Sequence, residues 1–363
     1  MIKTTIIYGL LISCISCQES TPRHNEVITV DHSLGKTQKL STWFSSVTAC
    51  PLQTNEEYLI GNIKQVETYA GQYYILDEAN NCIFTFDTTG HFHQKFSKIG
   101  RGPGEYTNLT DIKVDSRGIF LLDYSQQAIL HYDLKWQFLK KIRFDSYPVN
   151  FLLTPSGFFL YSERTNQKND YCFYETNDTG KILNHFILRD KIKDRKHNYI
   201  YSNVFCHNNN NLFFSTRYSN YIYSQNNDSV IYQLDFKNKN FPETELELND
   251  YNIYDPSFPY IVREHIFTYD SLLWIGYLDE RKRLFAIYNT ETKKTIFCGS
   301  IINDLIADFR FFPQWQNGKC LIDCVSSYNI VNDFLFIFDQ FPKLKTLKDT
   351  DNPVLLIYKP IDK

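Results

Sequence analysis

The chain has 363 residues, a net charge of −3 and a composition of 43% apolar and 22% charged residues. Such a chain can bury a substantial core and is too apolar to be disordered as a whole. Tyr (26) and Phe (29) are abundant whereas Met occurs once, which favours strands over helices. The 38 basic residues do not exceed the 41 acidic ones, although nucleic-acid binding requires an excess of positive charge. We therefore expect an all-β protein with no nucleic-acid partner.

The N-terminus has the features of a lipoprotein signal peptide. Lys3 precedes an apolar stretch over residues 6–12, which is too short to span a bilayer and has the length of a signal-peptide core. This stretch runs into Leu-Ile-Ser-Cys, which matches a bacterial lipobox and makes Cys14 the first candidate for lipidation; Cys17 is a weaker second candidate. The alternative is an ordinary cleaved signal followed by two incidental cysteines. A triacylated N-terminal cysteine anchors a protein stably, so we expect an exported protein on a lipid anchor.

The sequence divides into three predicted parts. Residues 1–17 are the signal peptide with its lipidation site. Residues 18–38 are polar, contain Pro22 and Gly35, and are predicted to be a tether. Residues 39–363 are predicted to form one folded domain.

Cysteine and histidine patterns indicate no metal or cofactor site. The mature chain keeps an odd number of further cysteines, which favours buried thiols over a disulfide framework, and no pair has zinc spacing. These cysteines are Cys50, Cys82, Cys172, Cys206, Cys298, Cys320 and Cys324. His91 and His93 would share one face of a strand and could hold a metal, but no third ligand is near. We interpret them as solvated histidines after a strand.

A repeat appears in the first third of the chain. Residues 71–87 read GQYYILDEANNCIFTFD and residues 118–133 read GIFLLDYSQQAILHYD. Each has an apolar strand that ends in Asp, a polar turn, and a second strand that ends in an aromatic residue and Asp. Asp77 and Asp123 are 46 residues apart. This period is typical of a four-stranded propeller blade.

Weaker copies of the second strand follow, which brings the number of units to six. Their last residues are Glu175, Asp235, Asn289 and Lys359. The wider spacing of these copies predicts longer loops, notably around residues 190–200, 240–262 and 340–352. We therefore predict an all-β fold, a closed six-bladed β-propeller with four-stranded antiparallel blades. A pair of β-sandwiches is the main alternative, and it would not explain the 46-residue period.

Four segments resemble a known family. They are KIGRGPGEY at residues 98–106, DIKVD at 111–115, FSSVTACPLQT at 44–54 and DNPVLLIYK at 351–359. Together they resemble the six-bladed propeller lipoproteins common in Bacteroidetes, and the blade unit is similar to the NHL repeat. The resemblance implies a propeller anchored in the outer membrane of a Gram-negative bacterium, on its periplasmic or its cell-surface side. It implies no particular activity, since fold does not determine function.

The GPGEY loop is a candidate ligand site. Three of its side chains could hold an anionic or sugar ligand beside exposed backbone amides: Arg101, Glu105 and Tyr106. The interpretation that we favour is structural, with glycines in unusual backbone conformations and a proline that stiffens the turn between two blades. These residues are Gly100, Gly102, Pro103 and Gly104.

The repeated aspartates have two possible roles. Asp77 and Asp123 could belong to a ring of carboxylates around the channel mouth. A residue used once per blade usually does the same structural work in each, however, so we expect both to accept hydrogen bonds from turn amides. The Tyr- and Asn-rich segment 199–232 invites a sugar-binding interpretation, but these residue types are enriched throughout, so we predict strands with a long loop.

Two functions from different classes remain. The first is a non-catalytic binding or scaffold module for a protein, peptide or glycan partner, which we favour. The second is an exported lyase or hydrolase that acts on glycans at the mouth of the propeller channel. No catalytic motif identifies its residues, so the catalytic residues are unknown. A buried cluster of carboxylates, His or Tyr with perturbed pKa values at the channel mouth would favour the enzyme, and a bland, open channel would favour the binding module.

Overall fold

The computed structural model describes residues 25–31, 37–165, 170–188, 204–208, 211–216, 219–225, 231–241, 255, 257–306 and 309–361. Within these residues the secondary structure consists mainly of strands, with a few short helices. The first fifteen are β1 (Asn25–Thr29), β2 (Gln38–Lys39), β3 (Phe44–Pro51), β4 (Ile63–Tyr69), β5 (Gln72–Asp77), β6 (Cys82–Asp87), β7 (Phe92–Phe96), β8 (Leu109–Asp115), β9 (Gly118–Asp123), β10 (Ala128–Tyr132), β11 (Phe138–Arg143), β12 (Ser146–Leu153), β13 (Gly157–Thr165), β14 (Tyr171–Asn177) and β15 (Ile182–Leu188). The others are β16 (Phe205–Asn208), β17 (Asn211–Phe214), β18 (Tyr221–Gln225), β19 (Ile231–Asp235), β20 (Val262–Tyr269), β21 (Leu272–Asp279), β22 (Lys282–Asn289), β23 (Lys294–Gly299), β24 (Ile301–Ile302), β25 (Trp315–Asn317), β26 (Cys320–Val325) and β27 (Val354–Pro360).

The strands form a six-bladed β-propeller with four-stranded antiparallel blades, as predicted. Blades I to V follow the chain and consist of β4–β7, β8–β11, β12–β15, β16–β19 and β20–β23. Blade VI consists of β25, β26, β27 and β3. In each blade the first strand is innermost. The inner strands of neighbouring blades contact each other, for example β4 with β8 and β8 with β12, so together they surround the central channel.

The middle strands of a blade are buried on both faces because each blade packs between two others. All six residues of β9 are buried, which explains its continuous apolar sequence GIFLLD. By contrast, the outermost strand β7 is largely exposed and carries His93, Gln94 and Lys95. The hydrophobic core therefore lies between blades. Leu76 and Ile83 of blade I pack in one cluster with residues of blade II.

The two ends of the chain close the ring together. The N-terminal strand β3 is the outermost strand of blade VI, where it pairs antiparallel with β27 near the C-terminus. Cys50 lies opposite Leu355 in this pairing. Both strands lie in segments that resemble the propeller lipoprotein family, FSSVTACPLQT at residues 44–54 and DNPVLLIYK at residues 351–359. This joint covers two edges that would otherwise be unpaired.

The folded part of the chain begins earlier than expected. Residues 25–29, which the sequence analysis placed in the tether of residues 18–38, form β1, which pairs parallel with β19 on the outer edge of blade IV. Val27 and its neighbours add a fifth strand to that sheet, and Ile28 is fully buried. The polar composition of the segment concealed this role, because an edge strand exposes one side to solvent. The tether prediction thus has to be shortened to the residues before Asn25.

Two further details differ from the sequence pattern. In blade III the residue opposite Gly157 is Asn177, so the repeat ends at Asn177 and not at Glu175. The expected long connection before β27 contains two short helices, α1 (Ser327–Asp333) and α2 (Ile337–Gln340). The Ser326 hydroxyl caps α1 by accepting a hydrogen bond from Asn329 N at 3.2 Å. No helix in the described part of the chain is long and apolar enough to cross a membrane.

Candidate functional site

The GPGEY loop is an inter-blade connection between β7 and β8. Gly100 N donates a hydrogen bond to Tyr106 O at 2.8 Å, and Tyr106 N donates to Lys98 O at 2.9 Å, so the loop closes on itself. Gly104 has a φ of +68°, a conformation that favours glycine. A Cβ atom on Gly100 would lie 2.0 Å from Oε2 of Glu105. The backbone therefore favours glycine at position 104, and a side chain at position 100 would displace the folded-back carboxylate.

The three candidate ligand residues of this loop are not brought together on the surface. Tyr106 is fully buried, and its hydroxyl donates to Phe96 O at 3.4 Å. Glu105 turns back into the loop, where its carboxylate accepts a hydrogen bond from Gly102 N at 2.8 Å. Arg101 is exposed. Pro103 lies between Gly102 and Gly104 in the same turn. The arrangement gives the motif a role in joining blades I and II.

Asp77 and Asp123 occupy matching positions and make matching contacts. Both are fully buried at the end of the second strand of a blade. The carboxylate of Asp77 accepts hydrogen bonds from Gly61 N at 2.8 Å and Asn62 N at 3.0 Å. That of Asp123 accepts from Thr107 N at 2.6 Å. Each aspartate thus ties the chain that enters its blade to the turn between the second and third strands.

The remaining sequence candidates lie elsewhere or outside the described residues. Cys14 and Cys17 lie outside them, as do residues 199–203 and several others of segment 199–232. His91 and His93 are exposed, and the Nδ1 atom of His91 lies 2.8 Å from the hydroxyl of Thr89. No group of three or more potential metal ligands occurs among the described residues. Cys50 and the six other cysteines of the predicted domain are free thiols.

The structure reveals a polar pocket in the central channel. Its volume is about 130 Å³ and five of the six inner strands contribute to its wall. The polar side chains that line it are Gln65, Glu67, Asp111, Lys113, Asn150, His207 and Gln316. The apolar part of the wall includes Leu152, Val204, Phe205 and Trp315. Concave sites that combine apolar walls with a few convergent polar groups are the usual form of a ligand site.

An ion triad forms the centre of this pocket. The ammonium of Lys113 lies 2.5 Å from Oε1 of Glu67 and 3.1 Å from Oδ1 of Asp111. The side chain of Asp111 is 1% exposed and that of Lys113 is 12% exposed. Asp111 Oδ2 also accepts a hydrogen bond from Phe151 N in blade III at 3.0 Å. The triad therefore links the inner strands of three blades.

The charges of the triad depend on each other. Burial raises the pKa of Asp111, and the neighbouring Lys113 ammonium opposes that shift. Burial lowers the pKa of Lys113, but Asp111 and Glu67 outweigh it, so the pKa of this lysine lies above its ordinary value. The lysine is consequently charged at neutral pH. Two carboxylates and one ammonium leave the pocket with an excess of acceptor groups.

The pocket lies at one particular end of the channel. His207 is the penultimate residue of β16, and Gly318 lies in the turn that follows β25. The pocket is therefore close to the turns that connect first and second strands. The GPGEY loop enters β8 at the opposite end of that strand, so it lies on the opposite face of the propeller. The same topology places the beginning of β1 on the pocket face, because Asn25 lies beside Ile231 at the start of β19.

Sequence reasoning missed the pocket, although a signal was present. Gln65 and Glu67 alternate on β4, and Asp111 and Lys113 alternate on β8. Alternation of polar residues on a strand is usually assigned to a solvent-exposed face. On the first strand of a propeller blade, however, the same pattern faces the channel. Knowing which strand was innermost would have identified these residues as candidates.

The family of the chain follows from a comparison with known proteins. The family described as domain of unknown function DUF4934 matches residues 25–359. The chain belongs to this family. No curated protein matches this DUF4934 protein in sequence.

Solved structures confirm the fold of this DUF4934 protein. It is similar to a Bacteroides fragilis protein whose description is that of an exported protein, with a TM-score of 0.70 and 19% identity over 93% of this chain and 100% of the other. It is also similar to a Bacteroides vulgatus member of the DUF4221 family, with a TM-score of 0.53 and 12% identity over 88% and 97% of the two chains. At these identities the similarity supports the propeller architecture alone.

Proposed function

We propose that this protein is an exported, lipid-anchored propeller that binds a glycan through the pocket of its central channel without transforming it. The observation that carries this proposal is the Glu67–Lys113–Asp111 triad in a pocket whose other polar lining side chains are amides and an imidazole. Sugars present several hydroxyl groups that both donate and accept hydrogen bonds. A wall of mixed donors and acceptors suits such a ligand better than it suits an apolar or a strongly anionic one.

The size of the pocket supports a small ligand group. Its volume of about 130 Å³ is close to the ~150 Å³ of a cavity that holds one benzene ring. One sugar ring, at the end of a chain or projecting from it, is of this order. A peptide or protein partner would have to insert a single side chain. The remainder of a larger partner would then rest on the propeller face around the pocket.

Export and anchoring are supported by the N-terminal sequence. Residues 1–17 have the charge, apolar stretch and lipobox of a lipoprotein signal peptide, and Cys14 or Cys17 is the acylated residue in this proposal. The similar Bacteroides fragilis protein is described as exported, which agrees with this location. We assign the protein to the outer membrane of a Gram-negative bacterium, and we regard its blades as related to NHL repeats.

The anchor would hold the pocket face towards the membrane. The eleven peptide steps from Cys14 to Asn25 span at most roughly 40 Å, and the eight steps from Cys17 at most roughly 30 Å, since each extended residue covers about 3.6 Å. Because β1 begins on the pocket face, a short lipid-anchored tether brings that face close to the bilayer. A ligand in the membrane-proximal glycan layer would then be within reach.

A glycan-active hydrolase or lyase is the second candidate. The observation that favours it is the buried carboxylate of Asp111, whose pKa is raised by burial, beside Glu67 in a ligand-sized pocket. We prefer the binding role because both carboxylates are bound to the same ammonium. Asp111 is additionally fixed by the amide of Phe151, and a proton-transferring carboxyl group needs to reach its substrate.

The proposal is tested with the full-length protein and a panel of glycans, peptidoglycan fragments and peptides. A ligand at a hundred times its dissociation constant stabilises the fold by roughly 2.7 kcal/mol and raises the melting temperature by a few degrees. We expect such a shift with one class of glycan and no product in chromatography of the reaction mixture. A shift accompanied by cleavage would establish the enzyme instead. A shift with peptides alone would reject the glycan ligand.

A further inference from the structure

One layer of side chains in the channel pocket is charged on one side and apolar on the other. Five inner strands each contribute one residue to it, and each of these pairs with the residue seven positions later in its hairpin, as Glu67 does with Tyr74. Equal positions relative to the hairpin turns put these residues at the same height in the channel. They are Glu67, Lys113, Leu152, Cys206 and Trp315. Blades I and II thus supply the charged groups, and blades III, IV and VI supply the apolar ones.

The charged side of the layer has unused acceptor oxygens. Oε1 of Glu67 accepts hydrogen bonds from Lys113 Nζ at 2.5 Å and from Gln65 Nε2 at 2.8 Å. Among the described residues the second oxygen of Glu67, Oε2, accepts none, and the side chain is 20% exposed in the pocket wall. Gln65 donates through Nε2, and its Oε1 has no donor in this part of the chain. Blade I therefore offers two oxygen acceptors to a ligand.

Groups that can donate lie on the next three blades. Lys113 donates to Glu67 and Asp111, which leaves one of its three N–H groups. The side-chain amide of Asn150 forms no hydrogen bond within the described residues. Burial and the charge of Lys113 lower the pKa of His207, so this imidazole is neutral at neutral pH and carries one N–H. From blade I to blade IV the polar wall thus changes from acceptors to donors.

An acetamido group has the chemistry that this layer requires. Its N–H donates one hydrogen bond, its carbonyl oxygen accepts hydrogen bonds, and its methyl group gains from an apolar surface. The N–H suits the acceptor oxygens of blade I, and the carbonyl oxygen suits the donors of blades II to IV. The methyl group suits Leu152, Cys206 and Trp315, where burial of apolar area is favourable.

The other common substituents of a sugar suit the layer less well. An ammonium group on Oε2 of Glu67 would lie close to the Lys113 ammonium, which is bound to the same carboxylate and would repel it. A carboxylate would meet acceptor oxygens on blade I that cannot donate to it. A hydroxyl group would bond to blade I and leave the apolar side of the layer uncovered. Of these four substituents, the acetamido group alone uses both sides.

We propose that the glycan bound in the channel pocket contains an N-acetylated amino sugar whose acetamido group occupies this layer. The inference rests on the glycan-binding function proposed above and adds the class of ligand to it. The acetamido N–H donates to Oε2 of Glu67, and the carbonyl oxygen accepts from Lys113 or Asn150. The methyl group contacts the apolar side chains across the channel. Glu67 is then the residue that determines specificity for the N-acetylated sugar.

Saturation-transfer NMR with the full-length protein and two series of monosaccharides tests this assignment. Each series varies only the substituent at C2: N-acetylglucosamine, glucosamine and glucose in the first, and the corresponding galactose derivatives in the second. We expect at least one N-acetylated sugar to bind, with the strongest saturation at its methyl protons. The amino sugar and the parent sugar of the same series should bind at least about tenfold more weakly, because each leaves part of the layer without a partner.

A variant of Glu67 tests the specificity directly. Glu67→Gln keeps the shape of the side chain, removes its charge and leaves Lys113 paired with Asp111. We expect it to weaken binding of the N-acetylated sugar by about tenfold, because a hydrogen bond to an ionised acceptor is stronger than one to a neutral amide. Glu78→Gln is the matched control. Glu78 is an exposed carboxylate in the turn after β5, at the other end of the blade, and this variant should bind as the wild type does.

The outcomes separate this inference from the glycan-binding proposal. Equal binding of the three sugars within a series, or tightest binding of an amino sugar, overturns the inference and leaves the glycan proposal standing. No binding in either series also overturns it, and the glycan panel then decides the proposed function separately. Equal affinity of the wild type and Glu67→Gln overturns the placement of the acetamido group. If Glu67→Gln does not fold, the wild type decides, since weak saturation at the methyl protons would contradict their burial.

Discussion

The ammonium of Lys113 on the inner strand of blade II lies 2.5 Å from the carboxylate of Glu67 on the inner strand of blade I. This contact bridges two blades whose other contacts are mainly apolar. It also places a charged group in the wall of the channel pocket. One ion pair thus serves both the packing of the ring and the polarity of the proposed ligand site.

Replacing Lys113 by Met should destabilise the protein by about 3–5 kcal/mol, because it leaves the buried carboxylate of Asp111 and the partly buried one of Glu67 without a counter-ion. Urea unfolding followed by circular dichroism measures this loss. Lys64→Met is the matched control. Lys64 pairs with Glu78 at 2.9 Å on the surface, so its loss should cost about 1 kcal/mol at most. Equal effects of the two variants would contradict the buried triad.

Replacing Asp123 by Ala should cost about 3 kcal/mol, since the buried carboxylate bonds the amide of Thr107 and both the backbone and the side chain of Gln126. Asp133→Ala is the control. Asp133 accepts two backbone hydrogen bonds in a more exposed turn of the same blade, and its loss should cost about 1 kcal/mol. Chemical denaturation of both variants gives the comparison. A smaller loss of unfolding free energy in Asp123→Ala than in Asp133→Ala would argue against the role of Asp123 in tying the chain that enters the blade to the turn after β9.

Gly104→Ala should destabilise the GPGEY loop more than Gly71→Ala destabilises its hairpin. Both glycines have positive φ values, +68° and +76°, so both substitutions strain the backbone. Only at Gly104 would the new Cβ also meet another residue, Phe138, at 2.8 Å. We expect a cost of about 1 kcal/mol for Gly71→Ala and at least about 1 kcal/mol more for Gly104→Ala. Thermal unfolding gives the melting temperatures of the two variants. Equal melting temperatures would refute the steric argument.

Asp323→Asn should change how stability depends on pH. Burial raises the pKa of Asp323 to about 7, and Arg310 opposes this shift only in part. Between pH 4 and 7 the folded protein keeps the proton and the unfolded chain releases it, so wild-type stability falls as pH rises. Compared with Asp323→Asn, the free energy of unfolding of the wild type should fall by roughly 1.4 kcal/mol per pH unit over this range. The fall should stop above pH 7. A difference that stays constant across this range would contradict the raised pKa.

The fold could be predicted because the blade pattern repeats in the sequence. The turn after the third strand of a blade shows why. Asp87, Asp133, Asn177 and Asn289 each accept a hydrogen bond from the amide two residues later. Because such a turn favours a short polar side chain, Asp or Asn recurs in the sequence at the end of these strands. The predicted end of the repeat in blade III was wrong by two residues, because Glu175 was chosen although the turn begins at Asn177.

The site could not be predicted because it is assembled from different blades. Asp111 and Glu67 are 44 residues apart, and nothing in the sequence of either strand indicates that both contact the ammonium of Lys113. The GPGEY loop was conspicuous in the sequence for the opposite reason. Its glycines allow a backbone conformation that a short sequence motif is enough to reveal. That conformation serves the packing of two blades. Short sequence motifs thus predicted the architecture, whereas the pocket is formed by residues that are distant in sequence.

The most direct test of the account is isothermal titration of the stabilising glycan into the wild type, Asn150→Ala and Asn184→Ala. Both asparagines belong to blade III, but Asn150 lines the channel pocket and Asn184 lies on the exposed outer strand. The account predicts binding at one site per chain, weakened at least tenfold in Asn150→Ala and unchanged in Asn184→Ala. Unchanged binding in Asn150→Ala, or no binding of any glycan to the wild type, would contradict a glycan site in the channel.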